Sequence, residues 1–293
     1  MIELLKRKGA ALLGNVSKVV PALGTLGLYQ RHYDVDYQIV VYFEMPLARI
    51  RALRLVPDGL TPYHIGERRR PDRSIEKMGV CYITLMTLTG GSVPTPDSGG
   101  GLAFDEILWG VRVQPGNAKA HLALSIVANR LATNHAVAQD FLEAKDHYEV
   151  YRRDGPSLAF HFADRQPDTL VASLGGRPVC GIHLGSTALL DSRFAYLPAT
   201  AEVFKPKNAH SEHMYRYEFA GLGLLQILTA AELAPDAVFA FWAHDFFAVD
   251  GGNLRDAPTA GAHVPVRVKA TEVYVSRRGS PGHQFLNRSI IYP

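Results

Sequence analysis

The sequence predicts an α+β fold that is mainly β: a closed antiparallel barrel or cone with a few helices at its rim. Three observations carry that expectation. Strand patterns far outnumber helical ones along the 293 residues. No shift in composition divides the chain, so a single domain over residues 1–293 is expected, with a helical N-terminal segment (1–30) and a C-terminal extension (250–293). So many strands in one unit also leave exposed edges, which closure would remove.

The elements follow in chain order. "MIELLKRKGAALLGNV" places basic residues before a short apolar run interrupted by Asn15, which fits an amphipathic surface helix over 2–13 better than a leader peptide. "DYQIVVYF" (Asp36–Phe43) reads as a strand. "MPLARIRALRLVP" (Met45–Pro57) reads as a short amphipathic helix stopped by Pro57. Further strands are expected over Gly79–Leu88, Ala103–Val113, Ala120–Val127, His147–Arg153, Ser157–Ala163 and Thr169–Leu174. Later strands fall at Met214–Ala220, Ala237–Val249 and Val264–Val275. "VANRLATNHAVAQDFLEA" (Val127–Ala144) has the best helical spacing, and "LLQILTAAEL" (Leu224–Leu233) is a further helix candidate. "RRDGPS" and "GGRP" are turn chemistry, and "VPTPDSGGG" is a loop.

Composition excludes several functions. The formal charge is +3, with 31 basic and 28 acidic residues, so no clustered basic surface marks a nucleic-acid partner. The dense run "ERRRPDR" (Glu67–Arg73) contains Pro71 and reads as a solvated loop. No apolar run is long enough for a membrane span, and a cytoplasmic protein is expected. Cys81 and Cys180 sit in apolar surroundings and read as small buried hydrophobes. His210 and His213 lack the i, i+4 spacing of a helical zinc site, so no metal is expected. His135 reads as a core histidine. There is no nucleophile elbow, P-loop or dinucleotide fingerprint.

Two residues stand out. Lys145 follows Phe141 by four and Leu142 by three, on or beside the apolar side of its helix. A snorkelling lysine accounts for that position. A desolvated amine with a lowered pKa, able to attack a carbonyl carbon, accounts for it as well. Glu106 shares a strand face with Phe104, Leu108 and Gly110, where a carboxylate turned inward would be a candidate acid or base. A slip of one residue would make it a surface charge.

Several segments, in order, resemble a known family. They are the strand, short helix and V-P-x-x-L turn of "DYQIVVYF…LRLVPDGL", then "GVCYITLMTLTG", "FDEILWGVRV", "ANRLATNHAVAQDFLEAKDHYEV" and "EFAGLGLLQI". Together, over about Tyr37–Val249, they resemble the acetoacetate decarboxylase-like superfamily. The resemblance implies a closed β-cone around a small cavity and imine chemistry on a keto acid, with decarboxylation or aldol and dehydration steps. By position it implies Glu106 as the proton-moving glutamate and Lys145 as the Schiff-base lysine. The sequence departs from the pattern. "FLEA" replaces the usual Gly-aromatic-Pro, Ala144 and Asp146 flank Lys145 where a second lysine is usual, and the second acidic position falls near Thr84. For the arginine that engages the substrate carboxylate, Arg31 is the nearest candidate and Arg112 a more distant one.

Two functions are therefore weighed. One is a lyase without metal or organic cofactor, with Lys145 and Glu106 catalytic and Tyr82, Trp109, His244, Arg31 and Arg112 as substrate-binding candidates. The other is a non-covalent ligand-binding or cyclase barrel, favoured by the missing second lysine. The expected partner is a small-molecule carbonyl compound, with a homo-oligomer expected and neither nucleic acid nor membrane.

Overall fold

The computed structural model describes residues 31–92, 104–114, 120–128, 158–162, 168–205, 214–242, 247–249, 252–253, 265–276 and 284–292. Lys145, His244, His135, His210, His213, the N-terminal helix, the His147–Arg153 strand and residues 129–144 of the long helix lie outside them.

The chain opens with β1 (Arg31–Pro46), helix α1 (Leu47–Ala52), β2 (Thr61–Pro62), β3 (His64–Arg69) and β4 (Ile75–Ser92). Next come β5 (Phe104–Gln114), β6 (Ala120–Ala128), β7 (Leu158–Phe162), β8 (Thr169–Leu174) and β9 (Arg177–His183). Then follow β10 (Ala195–Lys205), β11 (Met214–Thr229), β12 (Val238–Phe241), β13 (Ala248–Val249) and β14 (Gly252–Asn253). The last are β15 (Val266–Val268), β16 (Ala270–Ser276) and β17 (Gln284–Tyr292).

The expected closed barrel is corrected. Among the described residues the strands form three sheets, none of them closed into a barrel: a ten-stranded sheet, a five-stranded sheet ordered β15-β12-β9-β8-β7, and the β13–β14 pair. The large sheet runs β16-β1-β17-β11-β10-β6-β5-β4-β3, with β2 on β5. β1 pairs with β4 along nearly its whole length, while its other side is shared, β17 taking Arg31–Asp34 and β16 taking Ile39–Phe43. A second layer, rather than closure, buries the apolar face. Ile39, Val41, Phe43, Ile83, Leu85, Ile107 and Trp109 form one core with Leu170, Ala172, Cys180, Ile182 and Phe241 of the smaller sheet. Phe43 meets Phe241 with ring centroids 5.1 Å apart, and Tyr37 meets Phe162 edge-on at 5.1 Å. The edge strand β3 carries Glu67, Arg68 and Arg69, charges that discourage pairing with another chain.

The helices are also corrected. Leu224–Leu233 is not helical: β11 runs through it to Thr229, and a turn follows. A short continuous apolar run fits either state by pattern, and ladders to β10 and β16 settle it here. α1 exists but ends at Ala52, well before Pro57; Arg54 in the left-handed region (φ 51°) turns the chain away. Six residues without a side-chain N-cap hold as a helix through burial of Leu47 and Ile50. Gly79 on β4 makes room for them, since a Cβ there would lie 2.6 Å from Ile50 Cδ1. The "ERRRPDR" run forms the exposed end of the β3–β4 hairpin, where Asp72 accepts bonds from the Ser74 amide and hydroxyl. Cys81 and Cys180 are free and buried.

Candidate functional site

Strand alternation divides the central strands between two faces. Odd-numbered residues of β1, β4 and β5 fill the core between the sheets. The even-numbered residues Val40, Tyr42, Val80, Tyr82 and Leu108 form a separate cluster with Ala123, joined by Tyr63, Val203 and Tyr274. This second face carries the polar groups.

Cross-strand register assembles them into rows. Tyr42 stands opposite Glu272 on one side and Tyr82 on the other, and Tyr82 stands opposite Gly110, which pairs with Ala123. One row on, Arg112 pairs with His121, and His121 with Val203. A bulge where Trp109 and Gly110 meet Ser125 and Ala123 brings β6 close to β5. Glycine is required at that approach: a Cβ on Gly110 would lie 1.9 Å from the Leu122 carbonyl oxygen and 2.9 Å from the Tyr82 hydroxyl.

Tyr42 and His121 share a hydrogen bond of 3.0 Å between Oη and Nε2. Burial, and secondarily the Arg112 charge, pushes the His121 pKa down to about 3. The ring is therefore neutral at ordinary pH. Burial raises the Tyr42 hydroxyl to about 12 despite the neighbouring Arg112. Either group can donate in this bond, because a neutral imidazole carries its proton on one nitrogen or the other. The Arg112 guanidinium lies over the Tyr42 ring at 4.6 Å and 5.9 Å from the Tyr63 ring centroid. Tyr82 is buried beside them, its ring 4.8 Å from that of His121, and desolvation keeps its hydroxyl protonated. The Tyr82 hydroxyl, Arg112 Nε and His121 Nδ1 are shut off from solvent and meet no hydrogen-bond partner among the described residues.

Glu106 is 5% exposed and lies on this same face, the inward option of the sequence reading. It stands opposite Met86 and Ala128. Residues 129–157, which include Lys145, follow Ala128 directly and lie outside the described residues. Glu106 and Arg112 are thus on one face but at different ends of β5, about 20 Å apart at the usual rise of a strand.

The remaining candidates separate. Tyr82 belongs to the polar row. Trp109 turns the other way, into the core between the sheets, where its ring meets Phe247 at 5.7 Å. Arg31 opens β1 opposite Asn287, and Thr84 pairs with Leu108 and Val40. Sequence reading missed Tyr42 and His121. The signal for Tyr42 was available, an aromatic hydroxyl two residues from Val40 on the face of a strand; nothing local marked His121. Among the described residues there is no cluster of His, Cys, Asp and Glu able to hold a metal ion. No described helix is long and apolar enough to cross a membrane.

No family model and no curated protein matches the chain. Solved structures do. An acetoacetate decarboxylase is similar at 13% identity and a TM-score of 0.47, covering 90% of this chain and 89% of its own. The enduracididine biosynthesis enzyme MppR, complexed with pyruvate, is similar at 13% identity and a TM-score of 0.42, covering 89% of each chain. An acetoacetate decarboxylase-like enzyme from Sphingomonas wittichii is similar at 11% identity and a TM-score of 0.41, covering 89% of this chain and 92% of its own. At these values the likeness transfers no residue role. Acetoacetate decarboxylase and an acetoacetate decarboxylase-like enzyme are thus among the structural neighbours.

Proposed function

We propose that the protein is a lyase-type enzyme acting on a keto acid or related carbonyl compound through a lysine imine. Lys145 supplies the amine, which attacks the substrate carbonyl and expels water. The protonated imine then accepts the electron pair released when the neighbouring carbon–carbon bond breaks, and hydrolysis returns the free lysine. Glu106 carries the protons. The observation that carries the reading is the burial of Glu106 on the sheet face that also bears Tyr42, Tyr82, His121 and Arg112. A carboxyl group on that face can pass protons to and from a bound substrate.

The test is reductive trapping. The protein is incubated with a panel of keto acids and borohydride, and the adduct is mapped by mass. An adduct on Lys145, absent from Lys145→Ala, is the expected result; an unmodified protein across the panel defeats the imine mechanism. The second reading is non-covalent binding or cyclisation of a ligand, favoured by the unsatisfied Tyr82, Arg112 and His121 atoms, which require no lysine.

A further inference from the structure

Buried polar atoms without partners mark where a group is missing. Three such atoms, the Tyr82 hydroxyl, Arg112 Nε and His121 Nδ1, gather in adjacent rows of one sheet face. The arginine nitrogen can only donate, and His121 Nδ1 donates in the tautomer whose Nε2 accepts from Tyr42. The Glu202 carbonyl, near the His121 ring, leaves Nδ1 outside hydrogen-bond geometry. The Tyr82 hydroxyl stays protonated and can donate as well.

Arg112 adds a full positive charge. Its described contacts are the rings of Tyr42 and Tyr63, and no carboxylate pairs with it among the described residues. Glu44 pairs with Arg68, and the Glu272 carboxylate, whose charge acts on Tyr42 together with that of Arg112, accepts from the Tyr274 hydroxyl. A partly buried cation with no carboxylate in ion-pair contact, set beside donors without acceptors, favours an anion as the group that fits. One guanidinium beside neutral donors suits a singly charged, planar carboxylate; a phosphate dianion would call for further cations.

We propose that Arg112, Tyr82 and His121 form a recognition site for the remote carboxylate of an extended oxo acid, set apart from the Glu106 end of the same face. The carboxylate end stands on these residues alone, while the carbonyl end rests on the lyase reading above. The separation sets the substrate's length. The backbones of Glu106 and Arg112 lie about 20 Å apart along β5 at the usual rise of a strand. An acetoacetate-sized molecule cannot bridge the two side chains; a medium-chain oxo acid with its ketone near the far end can.

Calorimetric titration with octanoate, which has no ketone, reads the anion site by itself. Binding is expected to weaken by roughly tenfold or more in Arg112→Gln and several-fold in Tyr82→Phe, and to stay unchanged in Lys145→Ala. Arg112→Lys, which keeps the charge, should retain part of the affinity, and thermal melts confirm that each variant folds. No octanoate binding by the wild type, or equal binding by a folded Arg112→Gln, overturns the proposal. Borohydride trapping then compares acetoacetate with octanoate carrying a ketone next to its terminal methyl. Arg112→Gln should raise the concentration for half-maximal labelling by the long acid alone. Equal dependence of both acids on Arg112 overturns the separation. Failure of both acids to label Lys145, with Arg112-dependent octanoate binding retained, defeats the lysine chemistry and upholds the anion site.

Discussion

Tyr42 on β1 shares a hydrogen bond of 3.0 Å with His121 Nε2 on β6, a bond between residues 79 positions apart in sequence. It joins two strands that share no ladder, for β4 and β5 lie between them. The bond is possible because Gly110 presents no side chain in the row that separates the partners.

That pair makes stability depend on pH. The folded His121 pKa of about 3 lies below the ordinary value of 6.5. The unfolded chain therefore binds the proton first. The contribution of neutral His121 is fully present above pH 6.5 and is lost progressively as pH falls toward 3. The expected loss is a few kcal/mol at most. Melting temperatures between pH 7 and pH 4 should fall more steeply in the wild type than in His121→Gln; parallel curves would show that the ring is not buried neutral.

Gly110→Ala is expected to destabilise the protein by about 2–4 kcal/mol, because the new methyl group collides with the backbone of β6 rather than with a movable side chain. Urea melts measure it. A cost below about 0.5 kcal/mol, the range of neutral surface changes, would mean that β6 does not approach β5 through this bulge.

Trp109 and Tyr82 stand on opposite faces, so their substitutions should act differently. Trp109→Ala opens a cavity between the two sheets and should cost about 3–5 kcal/mol, with ligand affinity unchanged in the folded fraction. Tyr82→Phe removes a single hydroxyl that has no described partner and should leave the melting temperature nearly unchanged while weakening ligand binding. Melting and titration of both variants decide the matter, and loss of affinity in Trp109→Ala at full folding would contradict the assignment of faces.

Glu106→Gln keeps the shape of the side chain and removes its ability to carry a proton. Turnover of a keto acid should fall by roughly a hundredfold or more while imine trapping on Lys145 persists. Undiminished turnover in this variant would remove Glu106 from the reaction.

Much of this was legible in the sequence. Alternation placed the strands around Tyr37–Phe43, Cys81–Leu88, Phe104–Val113 and Thr169–Leu174, because each buries a face at a period of two. The same period separates Trp109 from Glu106 and Arg112 on β5, which the expectation of Trp109 as a substrate contact overlooked. Apolar neighbours marked Cys81 and Cys180 as buried.

Other features belong to the tertiary structure. Leu224–Thr229 is a strand because β10 and β16 claim its backbone, and no local pattern distinguishes that from a buried helix. The sheets stack in layers instead of closing as a barrel because the smaller sheet covers the apolar face, a packing choice written in no single segment. Periodicity says which way a side chain points, but pairing register decides which distant side chains it meets. The Tyr42, Tyr82, Arg112 and His121 group exists through four strands aligned by that register, and its energetics come from a burial that no one strand can supply.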